Sequence, residues 1–123
     1  MELKVGMYVR LVNDVEDIVV INKIANVFET TILTENDGSI YQGEYTKENV
    51  VKASYNIIDI LEVGDYVNRY PVKSISSVGK KIYEIEIKKP NNRKGVLIEK
   101  IKNNEDIKSI VTKEQFENME YKI

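Results

Sequence analysis

A seven-residue segment near the N-terminus occurs twice in this chain, and the repetition decides which folds to expect. Leu3–Val9, LKVGMYV, recurs as Leu61–Val67, LEVGDYV, with five of seven residues identical at an offset of 58. A weaker match at an offset of 56 pairs residues 51–53 with residues 107–109. Two copies are too few for a solenoid. The 123-residue chain is therefore predicted to form two related β modules, at 1–56 and 57–123.

The repeated segment itself predicts how each module begins. Gly6 and Gly64 can adopt positive φ, so each favours a turn. The Tyr-Val pair that follows alternates with polar neighbours, as a half-buried strand does. A strand opened by the pattern L-x-x-G-x-x-V is typical of small Src-homology-3-like (SH3-like) and KOW-like barrels. The alternative is a turn and strand with no functional content.

The rest of the first half indicates a meander. Its composition predicts, in order, β-rich segments at 18–21 and 26–34, a hairpin turn at 36–39, a strand at 40–45, a helical turn at 46–49 and a strand at 50–53. The connector 54–60 is apolar, and leaving it in water would be costly. We therefore expect the two halves to pack together.

In the second half, one strand and one helix have distinct signatures. From residue 83, apolar side chains at 83, 85 and 87 alternate with charged ones at 84, 86 and 88, which predicts a strand. Residues 89–95 predict a loop and 96–101 a return strand. Thr112 and Gln115 form a capping box, which predicts a helix over 113–119 with Phe116 and Met119 on its buried side.

Together these patterns predict an all-β, or mainly-β, fold of two tandem small barrel-like modules packed together, with a short C-terminal helix.

Composition excludes several kinds of chemistry. The chain has no His, Cys or Trp, so no conventional Zn site, disulfide, thiol nucleophile or Ser-His-Asp triad can form. The segment 78–81 lacks the first glycine and the Ser/Thr of a phosphate-binding loop. We expect a non-enzymatic protein without a cofactor. The sequence has no run of about 18 apolar residues and no signal pattern at its start, so we expect a cytoplasmic protein that does not engage membranes.

Charge is divided unevenly along the chain. The net charge of −2 is the sum of −5 over residues 1–61 (5 basic, 10 acidic) and +3 over residues 62–123 (13 basic, 10 acidic). Residues 80–102 hold eight basic and three acidic groups. Such a patch could meet a phosphate-bearing ligand, nucleic acid or an acidic protein surface. The alternative is a solvated hairpin whose lysines discourage edge pairing.

Candidate ligand contacts come mainly from this basic region. Arginine forks suit phosphate and carboxylate recognition, and only Arg10, Arg69 and Arg93 are available. The predicted anion-binding residues are Arg69, Lys89, Arg93 and Lys94. Tyr70 is a candidate for stacking on a base, as are Tyr41, Tyr45 and Tyr55, although core or rim packing is the alternative for each.

Two stretches resemble a family of small proteins from phages and prophages of Gram-positive bacteria, including clostridia. They are residues 55–68, YNIIDILEVGDYVN, and residues 107–122, IKSIVTKEQFENMEYK. Members also begin with a segment like KVGMYV at 4–9. The family has no established biochemical role, so the resemblance assigns no site residues. What it implies is a phage accessory protein that modulates its host.

We therefore expect a phage-encoded binding protein that counters host antiviral defence in the host cytoplasm. Its partner would be a phosphorylated or cyclic nucleotide signal, or a host defence protein. One alternative is a KOW-like nucleic-acid-binding module in phage transcription or replication, and another is a minor structural protein of the virion. A homo-oligomer is compatible with each of these.

Overall fold

The computed structural model describes residues 2–13, 18–35, 43–91 and 95–119. The chain divides into two compact units, Met1–Ile60 and Leu61–Ile123, a division four residues after the predicted boundary. Each unit carries a five-stranded antiparallel sheet that curls into a half-barrel. The mainly-β fold with a short C-terminal helix is confirmed. The packing of the two modules against each other stays a prediction.

The first unit is a meander closed by a short last strand. Its strands are β1 (Tyr8–Asn13), β2 (Ile18–Val27), β3 (Thr31–Thr34), β4 (Glu44–Thr46) and β5 (Val50–Ser54). One 3-10 turn, Lys47–Asn49, precedes β5, and a second, Ile57–Ile60, follows it. The sheet order is β4-β3-β2-β1-β5, so the last strand pairs with the first.

The second unit repeats this plan with different lengths. Its elements are β6 (Tyr66–Val67), β7 (Tyr70–Val78), β8 (Lys81–Asn91), β9 (Gly95–Ile101), β10 (Ile110–Val111) and α1 (Lys113–Met119). A 3-10 turn at Asn104–Asp106 precedes β10. The sheet order, read from β9, is β9-β8-β7-β6-β10, the counterpart of that in the first unit. A four-strand meander, a 3-10 turn and a last strand beside the first is the plan of an SH3-like barrel, as the repeat predicts.

The repeated segment forms the same turn in both units. In each copy, the amide of the residue after the glycine donates to the carbonyl three residues back. The glycine amide donates to a carbonyl of the unit's second strand, and an amide of that strand donates to the carbonyl of the residue after the glycine. The matched bonds are Met7 N to Lys4 O (3.2 Å) and Asp65 N to Glu62 O (3.1 Å); Gly6 N to Ile24 O (3.0 Å) and Gly64 N to Val72 O (3.1 Å); and Ile24 N to Met7 O (2.8 Å) and Val72 N to Asp65 O (2.7 Å). Gly6 has φ +92° and Gly64 φ +99°, which confirms the predicted glycine turns.

Each unit has its own apolar core, drawn mainly from alternate positions of its strands. The core of the first is formed by Val9, Leu11, Ile18, Val20, Ile24 and Ile32. The buried apolar residues of the second are Leu61, Val67, Val72, Ile85, Ile87 and Ile101. Alternation places the strand residues on the inner face, and Leu61 joins them from the segment before β6. Burying one such side chain stabilises the fold by about 2 kcal/mol.

Helix α1 is attached to the repeated turn by buried polar groups. The predicted capping box is confirmed: the Gln115 amide donates to Thr112 Oγ1 (3.1 Å), and the Thr112 amide donates to Gln115 Oε1 (3.0 Å). The fully buried Asp65 accepts hydrogen bonds from the amides of Lys113 (3.2 Å) and Glu62 (2.8 Å). This carboxylate thus joins the turn to the first residue of the helix.

Phe116 only partly follows the prediction. It stacks on Tyr66, with ring centroids 4.0 Å apart, yet stays 40% exposed. The burial of Met119 lies outside the described residues.

Several predicted boundaries differ from those in the structure. The predicted segments 18–21 and 26–34 are instead one long strand, β2, and the short β3, separated by residues 28–30. The predicted hairpin turn at 36–39 lies outside the described residues. The loop prediction is wrong for 89–91, which belong to β8. Pro90 is tolerated there because, among the described residues, β8 beyond Ile87 pairs with β9 and with no strand on its other side.

Tyr83 also departs from its predicted pattern. Ile85 and Ile87 are buried as expected, but Tyr83 is 57% exposed. Ser76 and Ser77 pair with Glu84 and Ile82, so Tyr83 is the extra residue of a β-bulge. A bulge breaks the alternation, and this explains why Tyr83 leaves the inner face.

Candidate binding surface on the C-terminal unit

The basic region predicted at 80–102 is largely the hairpin of β8 and β9. Its charged residues Glu84, Glu86 and Lys88 alternate with the buried Ile85 and Ile87, as predicted for the outer face. The pairing register places Lys100 opposite Glu86 and Ile98 opposite Lys88. The outer face of the hairpin is therefore mixed in charge near its middle.

Lys89 lies on the other face of β8 and is already committed to an acidic partner. Its Nζ forms an ion pair with Glu99, and it lies 5.3 Å from the centroid of the Tyr70 ring. The hydrogen bond that Lys89 Nζ donates to the Glu99 carboxylate raises the pKa of Lys89 above its ordinary value, against a smaller opposing effect of burial. Lys89 therefore remains a cation, but Glu99 neutralises much of the charge that it could offer to an anionic ligand.

The other lysines of the hairpin differ in their partners. Lys102 also forms an ion pair, with 3.8 Å between its Nζ and Glu84 Oε1. The described residues form no ion pair with four exposed lysines, Lys80, Lys81, Lys88 and Lys100. The positive charge available to a partner thus lies on these side chains rather than on Lys89.

Arg69 occupies a constrained position at the tip of the β6–β7 turn. Val67 pairs with Tyr70, so Asn68 and Arg69 form a two-residue loop, with φ +51° and +76°. Positive φ at both positions is the mark of a type I′ turn, which prefers Asn-Gly. An arginine in the second position costs about 1 kcal/mol relative to glycine.

Asn68 holds this turn in place. Its Oδ1 accepts from the amides of Lys108 (2.6 Å) and Ser109 (3.2 Å), and its Nδ2 donates to the carbonyl of Asp106 (2.8 Å). Arg69 is exposed and makes no hydrogen bond or ion pair with the part of the chain that is described. The turn thus presents a free guanidinium directly before Tyr70.

The structure therefore brings together some predicted site residues and not others. Tyr70 and Lys89 are in contact, and Arg69 is next to Tyr70 in the chain. Arg93 and Lys94 lie outside the described residues, so their role stays a prediction. Arg10 is buried in the first unit, where its Nη1 donates to the carbonyl of Ile60 (3.3 Å). Arg10 therefore has a structural role rather than an exposed ligand-binding one.

The other tyrosines predicted as candidates for base stacking differ in their exposure to solvent. Tyr45 is half-buried, and its hydroxyl accepts a hydrogen bond from Asn13 Nδ2 (3.2 Å), consistent with the rim-packing alternative. Tyr55 is 56% exposed and lies beside Gly6. Tyr41 lies outside the described residues.

Sequence reasoning missed one exposed apolar residue of this surface. Leu97 of β9 is 51% exposed, and the register places it opposite Lys89. We call Tyr70, Lys89, Leu97 and Glu99 the β9 surface. The apolar run at 96–98 indicated a strand, but nothing in the sequence showed that this strand would lie at a sheet edge.

Besides the exposed Leu97, β9 has a second notable property, its position at the edge of the sheet. Strand β9 pairs with β8 and ends the sheet order, so one row of its backbone N–H and C=O groups has no strand beside it among the described residues. It has seven residues, whereas β4, its counterpart in the first unit, has three. A long edge strand is a template for pairing with another chain.

Comparison of the chain with protein-family models, with curated proteins and with solved structures finds no match. Within the described ranges, no three acidic, His or Cys side chains are grouped so that they could hold a metal ion. None of the helices in those ranges is both long enough and apolar enough to cross a membrane.

Proposed function

We propose that the protein is a non-enzymatic, phage-encoded binding protein that counters host antiviral defence by occluding a defence protein in the host cytoplasm. The C-terminal unit would carry the contact. Phage origin and action on host defence rest on the resemblance of residues 55–68 and 107–122 to small phage proteins.

One observation favours a protein partner over a nucleotide signal. Lys89, which was predicted to contact an anion, is paired with Glu99 beside the exposed Leu97. A charge already neutralised within the chain, beside an exposed aliphatic side chain, suits a protein surface, because the core of such an interface is apolar and poor in unpaired charge. A phosphate would instead need unpaired cations that converge on it.

The test is expression of the full chain in Gram-positive hosts that each carry one antiphage defence system. We expect phage plating to be restored on a host whose defence component the protein binds. Co-purification of the two proteins from those cells should follow. Unchanged plating on every defended host would contradict the proposal.

A nucleotide signal is the other way to counter such a defence. Equilibrium dialysis of the protein against cyclic and linear nucleotides separates the two. We expect no retention. Retention of a nucleotide, lost in Arg93→Ala with Lys94→Ala at an unchanged melting temperature, would favour sequestration instead.

The exposed lysines of the β8–β9 hairpin favour a second candidate, a KOW-like nucleic-acid-binding module. Lys80, Lys81, Lys88 and Lys100 could contact phosphates without first breaking an ion pair. This candidate predicts DNA or RNA binding whose affinity falls steeply with salt. It fails if a gel shift at low salt shows no complex.

A further inference from the structure

We propose that β9 is a docking edge for an extended, acidic segment of the partner protein, which adds to the sheet as a sixth strand. This inference rests on the proposed function, because it states how the C-terminal unit would hold its protein partner. Its basis is the free edge of β9 and the different chemistry of the two faces of that strand.

The backbone of β9 supplies the first part of the argument. Seven residues at the end of the sheet order, Gly95–Ile101, offer alternating donors and acceptors to an added strand. The corresponding strand in the first unit, β4, is too short to serve in this way. The other edge of the same sheet, β10, has only two residues. The described edges of this sheet therefore differ, and β9 is the one long enough to hold a segment.

The side chains of β9 supply the second part. Leu97 and Glu99 share one face of the strand, and Ile98 and Lys100 share the other, since alternate residues of a strand point to opposite sides. On the first face, Glu99 is satisfied by Lys89, which leaves Leu97 as the exposed apolar contact. On the second face, Lys100 is exposed, with Lys88 on the neighbouring strand.

This arrangement specifies the occupant. A segment that alternates apolar and acidic residues would place its apolar side chains beside Leu97 and its carboxylates beside Lys100, with Lys88 one strand further away on the same face. A second copy of this chain fits less well, because residues 80–102 carry net +5 (eight basic and three acidic groups) and two such hairpins would repel. The same lysines that discourage pairing with a like-charged strand would select an acidic one.

The probe is a capped peptide of alternating Val and Glu, of the same length as β9, added to the full chain. Hydrogen exchange read by NMR should show slowed exchange for those amides of Gly95–Ile101 that point away from β8. A matched peptide with alternate amides N-methylated along one edge loses the donors that a β ladder needs, and we expect it not to bind. Equal binding of the two peptides would overturn the proposal, because charge alone would then explain the complex.

A pair of variants tests the side-chain contact. Leu97→Asp should weaken peptide binding about tenfold or more, since it replaces the apolar contact with a charge that repels the peptide. Val78→Asp makes the same change in charge at a 73% exposed position at the far end of β7, and should leave binding within about twofold. Dispersed NMR spectra of both variants would show that each is folded. Equal losses in both would overturn the proposal.

Analytical sedimentation of the full chain tests whether a second copy of this chain occupies the β9 edge. We expect no β9-dependent dimer. A dimer that Leu97→Asp dissociates would assign the edge to a second copy and overturn the proposal. The failure of this inference is separate from that of the proposed function: absent β9 protection contradicts the docking edge alone, whereas unchanged plating contradicts the action on defence alone.

Discussion

At the scale of single residues, adjacent polar side chains of the C-terminal unit have different roles: one bonds to the backbone, and the next faces solvent. Asn68 and Arg69 show the contrast, since both have positive φ in one two-residue turn. Asn68 compensates for its strain with hydrogen bonds to three backbone groups, whereas Arg69 has no such partner among the described residues.

Glycine substitutions at these two positions should have opposite effects. Arg69→Gly should raise the free energy of unfolding by about 1 kcal/mol, because glycine adopts positive φ without a steric penalty. Asn68→Gly should lower it by about 1–2 kcal/mol, because hydrogen bonds to the segment 106–109 are lost. Urea denaturation measures both values. A destabilised Arg69→Gly variant would show that the turn is not strained.

The Lys89–Glu99 pair should give stability a specific pH dependence. The pKa of Lys89 is raised in the folded chain, so the pair contributes fully below the ordinary lysine value of 10.5 and loses its contribution as pH rises through the raised pKa. The difference in unfolding free energy between the wild type and Lys89→Met should thus be constant near neutral pH and shrink in alkali. Denaturation curves over that range measure it. A difference that stays constant in alkali would refute the assignment.

At the scale of elements, sequence patterns predicted those features whose causes are local. The capping box of α1 and the glycine turns depend on residues within a few positions of one another, and both were predicted correctly. The bulge at Tyr83 and the strand at Lys89–Asn91 depend on what lies on the neighbouring strand, so alternation and loop composition misplaced both. Local chemistry fixes turns and caps, whereas pairing partners fix bulges and strand ends.

The attachment of α1 gives an element-scale prediction. Asp65→Ala should lower the free energy of unfolding by about 2–4 kcal/mol, because the partly buried amides of Glu62 and Lys113 lose the buried carboxylate that accepts from them. Glu62→Ala keeps both amides and their acceptor, removes a partly exposed 3.5 Å ion pair with Lys113, and should cost less than about 1 kcal/mol. Chemical denaturation compares the two. Equal costs would show that Asp65 does not join the turn to the helix.

At the scale of the whole molecule, the sequence repeat corresponds to two units with the same strand arrangement. Two segments of seven residues predicted two modules, and the units share sheet order, the position of a 3-10 turn and the hydrogen bonds of the opening turn. The units differ where ligand binding is proposed: β9 is long and carries an exposed Leu97, whereas β4 is short. The basic charge at 80–102 was visible in the sequence, but the pairing of Lys89 with Glu99 was not, because it depends on the register between two strands.

The central claim is that the protein counters defence by binding through β9. The most direct test is phage plating on a host whose defence the full chain suppresses, with Leu97→Asp and Val78→Asp expressed at equal levels. We predict that Val78→Asp restores plating as the wild type does and that Leu97→Asp does not. Restoration of plating by both variants would contradict the claim.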